Sequence, residues 1–113
     1  MIIKTKDEQR IKEFIRKIQV LKLEKIIDVV IEDSQITRDD LMERTKRPII
    51  CDARKKIIYI SKIKFNISNN VLVDVLGLSA EWISMSQNQT HDALVDNLKL
   101  RIEINKLMNK ICY

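Results

Sequence analysis

One glycine and one proline leave this chain almost nothing with which to punctuate hairpins or barrels, and the shortage by itself points to helices. Aromatic residues are 4% of the total, too few for the row of stacking platforms that single-strand nucleic-acid binders need. Cys51 and Cys112 lie far apart, and the single histidine, His91, has no clustered partners, so neither a disulfide framework nor a zinc site is implied. No metal or cofactor is expected. No apolar run approaches the roughly 18 residues of a membrane span, and the N-terminus has no signal-peptide pattern. A cytoplasmic location without membrane contact is the expectation. Catalysis is not expected either, because no carboxylates cluster and no nucleophile has a base at a suggestive spacing. Asp39 and Asp40 are explained as helix-start charge, and no glycine-rich phosphate cradle is present.

What is present is a chain of 113 residues, rich in Ile, Leu, Lys, Glu and Asn, with net charge +5. That length suits one small domain. Thr5-Lys6-Asp7-Glu8 fits a capping box, so a helix should start there. Ile11, Phe14, Ile15, Ile18 and Leu21 recur at spacings of three and four, a stripe suited to a core or to a dimer. Leu23, Ile26, Ile27, Val30 and Ile31 form a second set that carries the helix to about Glu32, unbroken or bent near Lys22. Residues 1–22 are therefore read as an N-terminal helix for dimerisation or linkage, and residues 23–113 as the helical domain.

Thr37 caps a short helix, and Pro48 imposes a loop over residues 44–49. A helix from about residue 50 or 52 to 64 follows, with Ala53, Ile57, Ile60 and Ile63 on one side. Residues 68–78 and 79–86 form two short segments, each opened by a serine, with Gly77 between them: the outline of a helix-turn-helix. Thr90-His91-Asp92 is expected to cap a last helix running to about Asn109. Its Lys99, Arg101, Lys106 and Lys110 are read as a complement to the helix dipole. The fold class is all-α, a compact helical domain containing a helix-turn-helix behind a long N-terminal helix.

Charge is distributed unevenly along the sequence. Between Glu43 and Lys64, eight cations (Arg44, Lys46, Arg47, Arg54, Lys55, Lys56, Lys62, Lys64) face two anions, a bias that attracts polyanions. From Phe65 to Leu98 there is no Lys or Arg, while Asp74, Glu81, Asp92 and Asp96 are anionic. That half is better suited to a protein partner.

Residues 26–110 resemble the C-terminal DNA-binding domain of the bacterial chromosomal replication initiator DnaA. The residues that carry the resemblance are Ile27-Asp-Val-Val, Gln35-Ile-Thr-Arg-Asp-Asp-Leu41, Lys46-Arg47, Asp52-Ala53-Arg54-Lys55 with Tyr59-Ile60, and Leu78-Ser79, Ile83-Ser84 and Asn88-Gln89-Thr90-His91 with Leu94-Val95. About ten residues are extra between Tyr59 and Leu78. Alternatively Asn66-Ile67-Ser68, Leu72 and Gly77 match the family's Asn-Leu-Ser, Ile and Gly, which moves the extra residues beyond Gly77 and makes residues 79–86 the recognition helix. Of the family's Arg-Asp-His-Thr-Thr signature only His91 is kept, within Gln89-Thr90-His91-Asp92-Ala93, and the ATPase module is absent.

The resemblance implies a duplex-DNA-binding protein acting in replication or transcription control, of a kind that a phage or mobile element could encode. Lys46 or Arg47 would take the place of the family's minor-groove arginine, with Arg44 beside them in the basic loop. Arg54, Lys55 and Lys56 would hold phosphates, and Gln87, Asn88, Gln89, Thr90 and His91 would face the major groove. The alternative is a protein-interaction adaptor that keeps the fold without the DNA chemistry, its N-terminal helix pairing with a second copy or another protein.

Overall fold

The computed structural model describes residues 4–43 and 47–111. Arg44 and Lys46 of the basic loop, the Thr5 hydroxyl expected to cap the first helix, and Cys112 lie outside the described residues or atoms. Within them the chain forms α1 (Lys4–Ser34), α2 (Arg38–Met42), α3 (Pro48–Phe65), α4 (Asn69–Leu76), α5 (Ala80–Asp96) and α6 (Leu98–Ile111). The structure is a compact all-α globule with one long helix leading into it.

α3 is the axis of the globule, and its sequence explains why. Ile50, Ala53, Ile57, Ile58 and Ile60 cover more than one side of the helix and are all buried, so no single neighbour could cover them. Accordingly α3 packs against α1, α2, α5 and α6. α1 contributes Leu23, Ile26, Ile27 and Val30, each fully buried; α4 adds Val71 and Leu72, α5 adds Ile83, and α6 adds Ile104, Leu107 and Ile111. Each such aliphatic side chain contributes roughly 1.5–3 kcal/mol on removal from water.

The helix ends follow from local chemistry. α1 runs unbroken through Lys22 and stops at Gln35, whose φ of 57° is left-handed, while the Ile36 N–H donates to the Ile31 carbonyl at 3.1 Å. Thr37 caps α2 in a full capping box: its hydroxyl accepts from the Asp40 N–H at 3.0 Å, and the Asp40 carboxylate accepts from the Thr37 N–H at 3.0 Å. α3 begins earlier than the sequence suggested, because Pro48 sits in its first turn, where its missing N–H costs nothing. Arg47 is the extended residue before it, at φ −57° and ψ 130°, as a residue preceding proline should be. Gly77 ends α4 at φ 68°, and nothing lies within 4 Å of where a Cβ would be, so the backbone angle alone calls for glycine.

One sequence expectation is corrected. Thr90-His91-Asp92 does not cap a helix; it lies inside α5, which runs through to Asp96. Residues 87–89 contain no glycine or proline to stop it, and the Thr90 hydroxyl donates back to the Ser86 carbonyl at 2.9 Å instead of capping forward. The break falls at Asn97, whose Oδ1 accepts from the Leu100 N–H at 3.0 Å and so starts α6. α4, the Gly77 turn and α5 retain the helix-turn-helix outline.

Candidate nucleic-acid interface

Folding consumes most of the basic stretch. Arg54 is 7% exposed; its Nε and Nη2 donate to the Leu41 carbonyl at 3.1 and 2.9 Å, and Nη2 also donates to the Glu43 carbonyl. It holds the end of α2 and the start of the basic loop against α3. Lys62 donates to the Ile67 carbonyl at 3.1 Å, and Lys64 to the Met108 carbonyl at 2.7 Å. Lys56 pairs with Glu103 at 3.4 Å, and Arg47 reaches Asp40 at 3.6 Å.

The Arg47–Asp40 pair links the start of α3 to α2. Hydrogen bonds from Thr37, helped by the charge of Arg47, hold the Asp40 carboxyl below the ordinary aspartate range. A lowered folded-state value contributes stability above the unfolded value and loses it as pH falls through the folded one. Following Asp40 by NMR should therefore give a titration midpoint below the ordinary value in the native chain, and one that moves back up in Thr37→Ala.

Consecutive residues on α3 separate by about 100°, which divides Arg54-Lys55-Lys56: Arg54 points to α2, and Lys55 and Lys56 point to the opposite side. There they line a groove of 340 Å³ with Asp52, and with Gln89 and Thr90 from α5 and Asn97, Lys99 and Glu103 at the start of α6. Neither Lys55 nor Lys99 forms an ion pair within 4 Å among the described residues. The groove thus presents two unpaired ammonium groups and the exposed Gln89 amide.

The five α5 residues do not act as one row. Gln89 is exposed on the groove side; Thr90 is buried at 5% exposure; Gln87 is half-buried. Asn88 is exposed, while His91 lies on the other flank, in a second groove with Tyr59, Ile63, Val95 and Arg101. Arg101 closes the end of α5, its Nη2 donating to the Val95 carbonyl at 2.8 Å.

Lys99 is the groove residue that sequence reasoning missed. Assigning it to the dipole of a helix begun at Thr90 hid it; with α6 starting at Leu98 it sits in a first turn, where the dipole disfavours a cation. Asn97, an asparagine three residues before an apolar periodic run resumes, was the available signal.

Among the described residues no group of three or more His, Cys, Asp or Glu side chains could hold a metal ion, and no helix is long and apolar enough to cross a membrane. Compared with known protein families, curated proteins and solved structures, the chain has no match.

Proposed function

We propose that this chain is a duplex-DNA-binding domain of the replication-initiator C-terminal type, acting in replication or transcription control, that grips the phosphate backbone with little reading of sequence. One observation carries the reading: Lys55 of α3, Lys99 of α6 and Gln89 of α5 converge on a single groove from three helices. Two uncommitted ammonium groups beside an amide are suited to phosphates and a base edge. The order of elements, a short α2 and a long α3 ahead of the α4–Gly77–α5 helix-turn-helix, supports that reading.

Weak sequence reading follows from α5 itself. Thr90 is buried, His91 faces away from the groove, and Asp92 and Asp96 on the exposed side repel phosphates. Binding rests on Lys55 and Lys99 and on Arg44, Lys46 and Arg47 of the basic stretch, so roughly three to five phosphates are contacted and log affinity should fall with log salt at a slope of about −3 to −5. Fluorescence anisotropy of a labelled duplex from low to moderate salt measures this slope. Duplexes of unrelated sequence should differ little, and absence of binding at low salt overturns the reading.

A second reading, a protein-interaction module, is favoured by a separate observation. The first half of α1 carries Ile11, Phe14, Ile15 and Leu21 at 58%, 64%, 48% and 70% exposure, an apolar stripe of the kind that marks a contact surface. The two readings occupy different parts of the molecule and are compatible.

A further inference from the structure

The stripe on α1 belongs to a helix whose other face is already committed. At about 100° per residue, the buried Leu23, Ile26, Ile27 and Val30 centre on one direction, and the exposed Ile11, Phe14, Ile15, Ile18 and Leu21 centre roughly 130° away. Arg16 and Gln19, on the buried side, anchor the helix to α4: Arg16 pairs with Asp74 at 2.5 Å, and Gln19 Oε1 accepts from the Ser68 N–H at 3.2 Å. The stripe therefore points away from the chain's own globule. α1 has little net amphipathicity over its whole length because the two faces offset one another.

We propose that the stripe is covered by the same stripe of a second copy, running antiparallel, and the proposal rests on reading α1 as an interaction surface, not on DNA binding. Ile11, Phe14, Ile18 and Leu21 stand at the alternating three- and four-residue spacing of a coiled-coil seam, which Asp7 and Lys25, both exposed, continue at its ends. Charge decides the direction. In a parallel, in-register pair Lys25 meets the partner's Lys25, Asp7 meets the partner's Asp7, and Lys17 flanks the partner's Lys22, all of like sign.

Antiparallel, with Ile11 opposite the partner's Leu21 and Phe14 opposite the partner's Ile18, the same seam sets Asp7 against the partner's Lys25. Its flanks set Glu8 against the partner's Lys22 and Arg10 against the partner's Glu24. Each of these pairs is of opposite sign and occurs twice by the two-fold symmetry. Glu24 also holds Arg38, and Lys22 lies over the Phe65 ring, so the end pair of Asp7 with Lys25 is the freest of the three. Lys17 against the partner's Lys17 is the one like-charged meeting. In this register the pairing spans residues 7–25 of both copies, along the side of α1 turned away from its buried Leu23, Ile26, Ile27 and Val30.

Sedimentation equilibrium of the full chain over roughly 10 µM to 1 mM tests the proposal. A concentration-dependent dimer is expected, abolished by Leu21→Asp with unchanged helical circular dichroism. Lys25→Glu should weaken it about tenfold, and adding Asp7→Lys should restore it. A monomer throughout overturns both the proposal and self-pairing through the stripe. A dimer sensitive to Leu21→Asp but not rescued by the double charge exchange keeps α1 as the interaction surface and overturns the antiparallel pairing.

Discussion

Replacing Arg54 by alanine should lower folding stability by about 3 kcal/mol, because it removes charge-assisted hydrogen bonds and leaves buried carbonyls unpaired. The guanidinium spans the Leu41 and Glu43 carbonyls and so ties the end of α2 to α3. Arg54→Lys should recover only a minor part, since an ammonium cannot present the same planar fork to two carbonyls. Urea unfolding followed by circular dichroism measures both, as midpoint shifts at constant slope. A loss under about 0.5 kcal/mol, the range of an ordinary surface substitution, would show that the tie contributes little. A large loss also means that Arg54 variants cannot serve as reporters of phosphate contact, because any fall in binding would follow from the fold.

The case of Arg54 also shows where reading the sequence succeeds and where it stops. Local, periodic features are legible: the Thr37 cap, the apolar pattern of Ala53, Ile57 and Ile60 (its fourth member, Ile63, is instead 54% exposed near the end of α3), the turn at Gly77, and the all-α class implied by so little glycine and proline. These depend on neighbours within a few residues. The fate of the cations was not legible, because Arg54, Lys62 and Lys64 are satisfied by backbone carbonyls at Leu41, Ile67 and Met108, and a carbonyl has no signature in sequence. The clustering of charge between Glu43 and Lys64 was a correct count, but among its described members only Lys55 keeps an ammonium group uncommitted to a carboxylate, a carbonyl or a ring.

The groove was half visible for a similar reason. Lys55, Lys56 and Gln89 stand out in the sequence; Lys99 and Asn97 do not, because a cap at Thr90 phases the last helix from the wrong origin. Thr90 and Asn97 are both acceptable caps by residue type. What separates them is tertiary: burial of Thr90 under α3 rewards a hydroxyl that turns back onto its own helix, whereas exposed Asn97 is free to turn forward.

Charge reversal in the groove should have the largest effect on binding. Lys55→Glu with Lys99→Glu removes two phosphate-binding ammonium groups and adds two repulsions at the rim, and each change should weaken binding by about tenfold, so the pair should lose about a hundredfold. The salt slope should become shallower by about two, one for each phosphate no longer neutralised. Both side chains are partly or fully exposed and make no ion pair in the fold, so the variant should remain folded. Lys6→Glu with Lys12→Glu, two exposed positions on α1 outside its apolar stripe, changes net charge equally and is the matched control.

Anisotropy of one labelled duplex against the native chain and these two double variants distinguishes a groove site from general charge attraction. The groove variant should lose about a hundredfold and the α1 control less than about threefold, because screening leaves distant charge with little effect. Equal losses in the two variants would mean that net charge alone drives binding, and an unchanged groove variant would place the DNA elsewhere; either result contradicts the assignment of the groove between α3, α5 and α6.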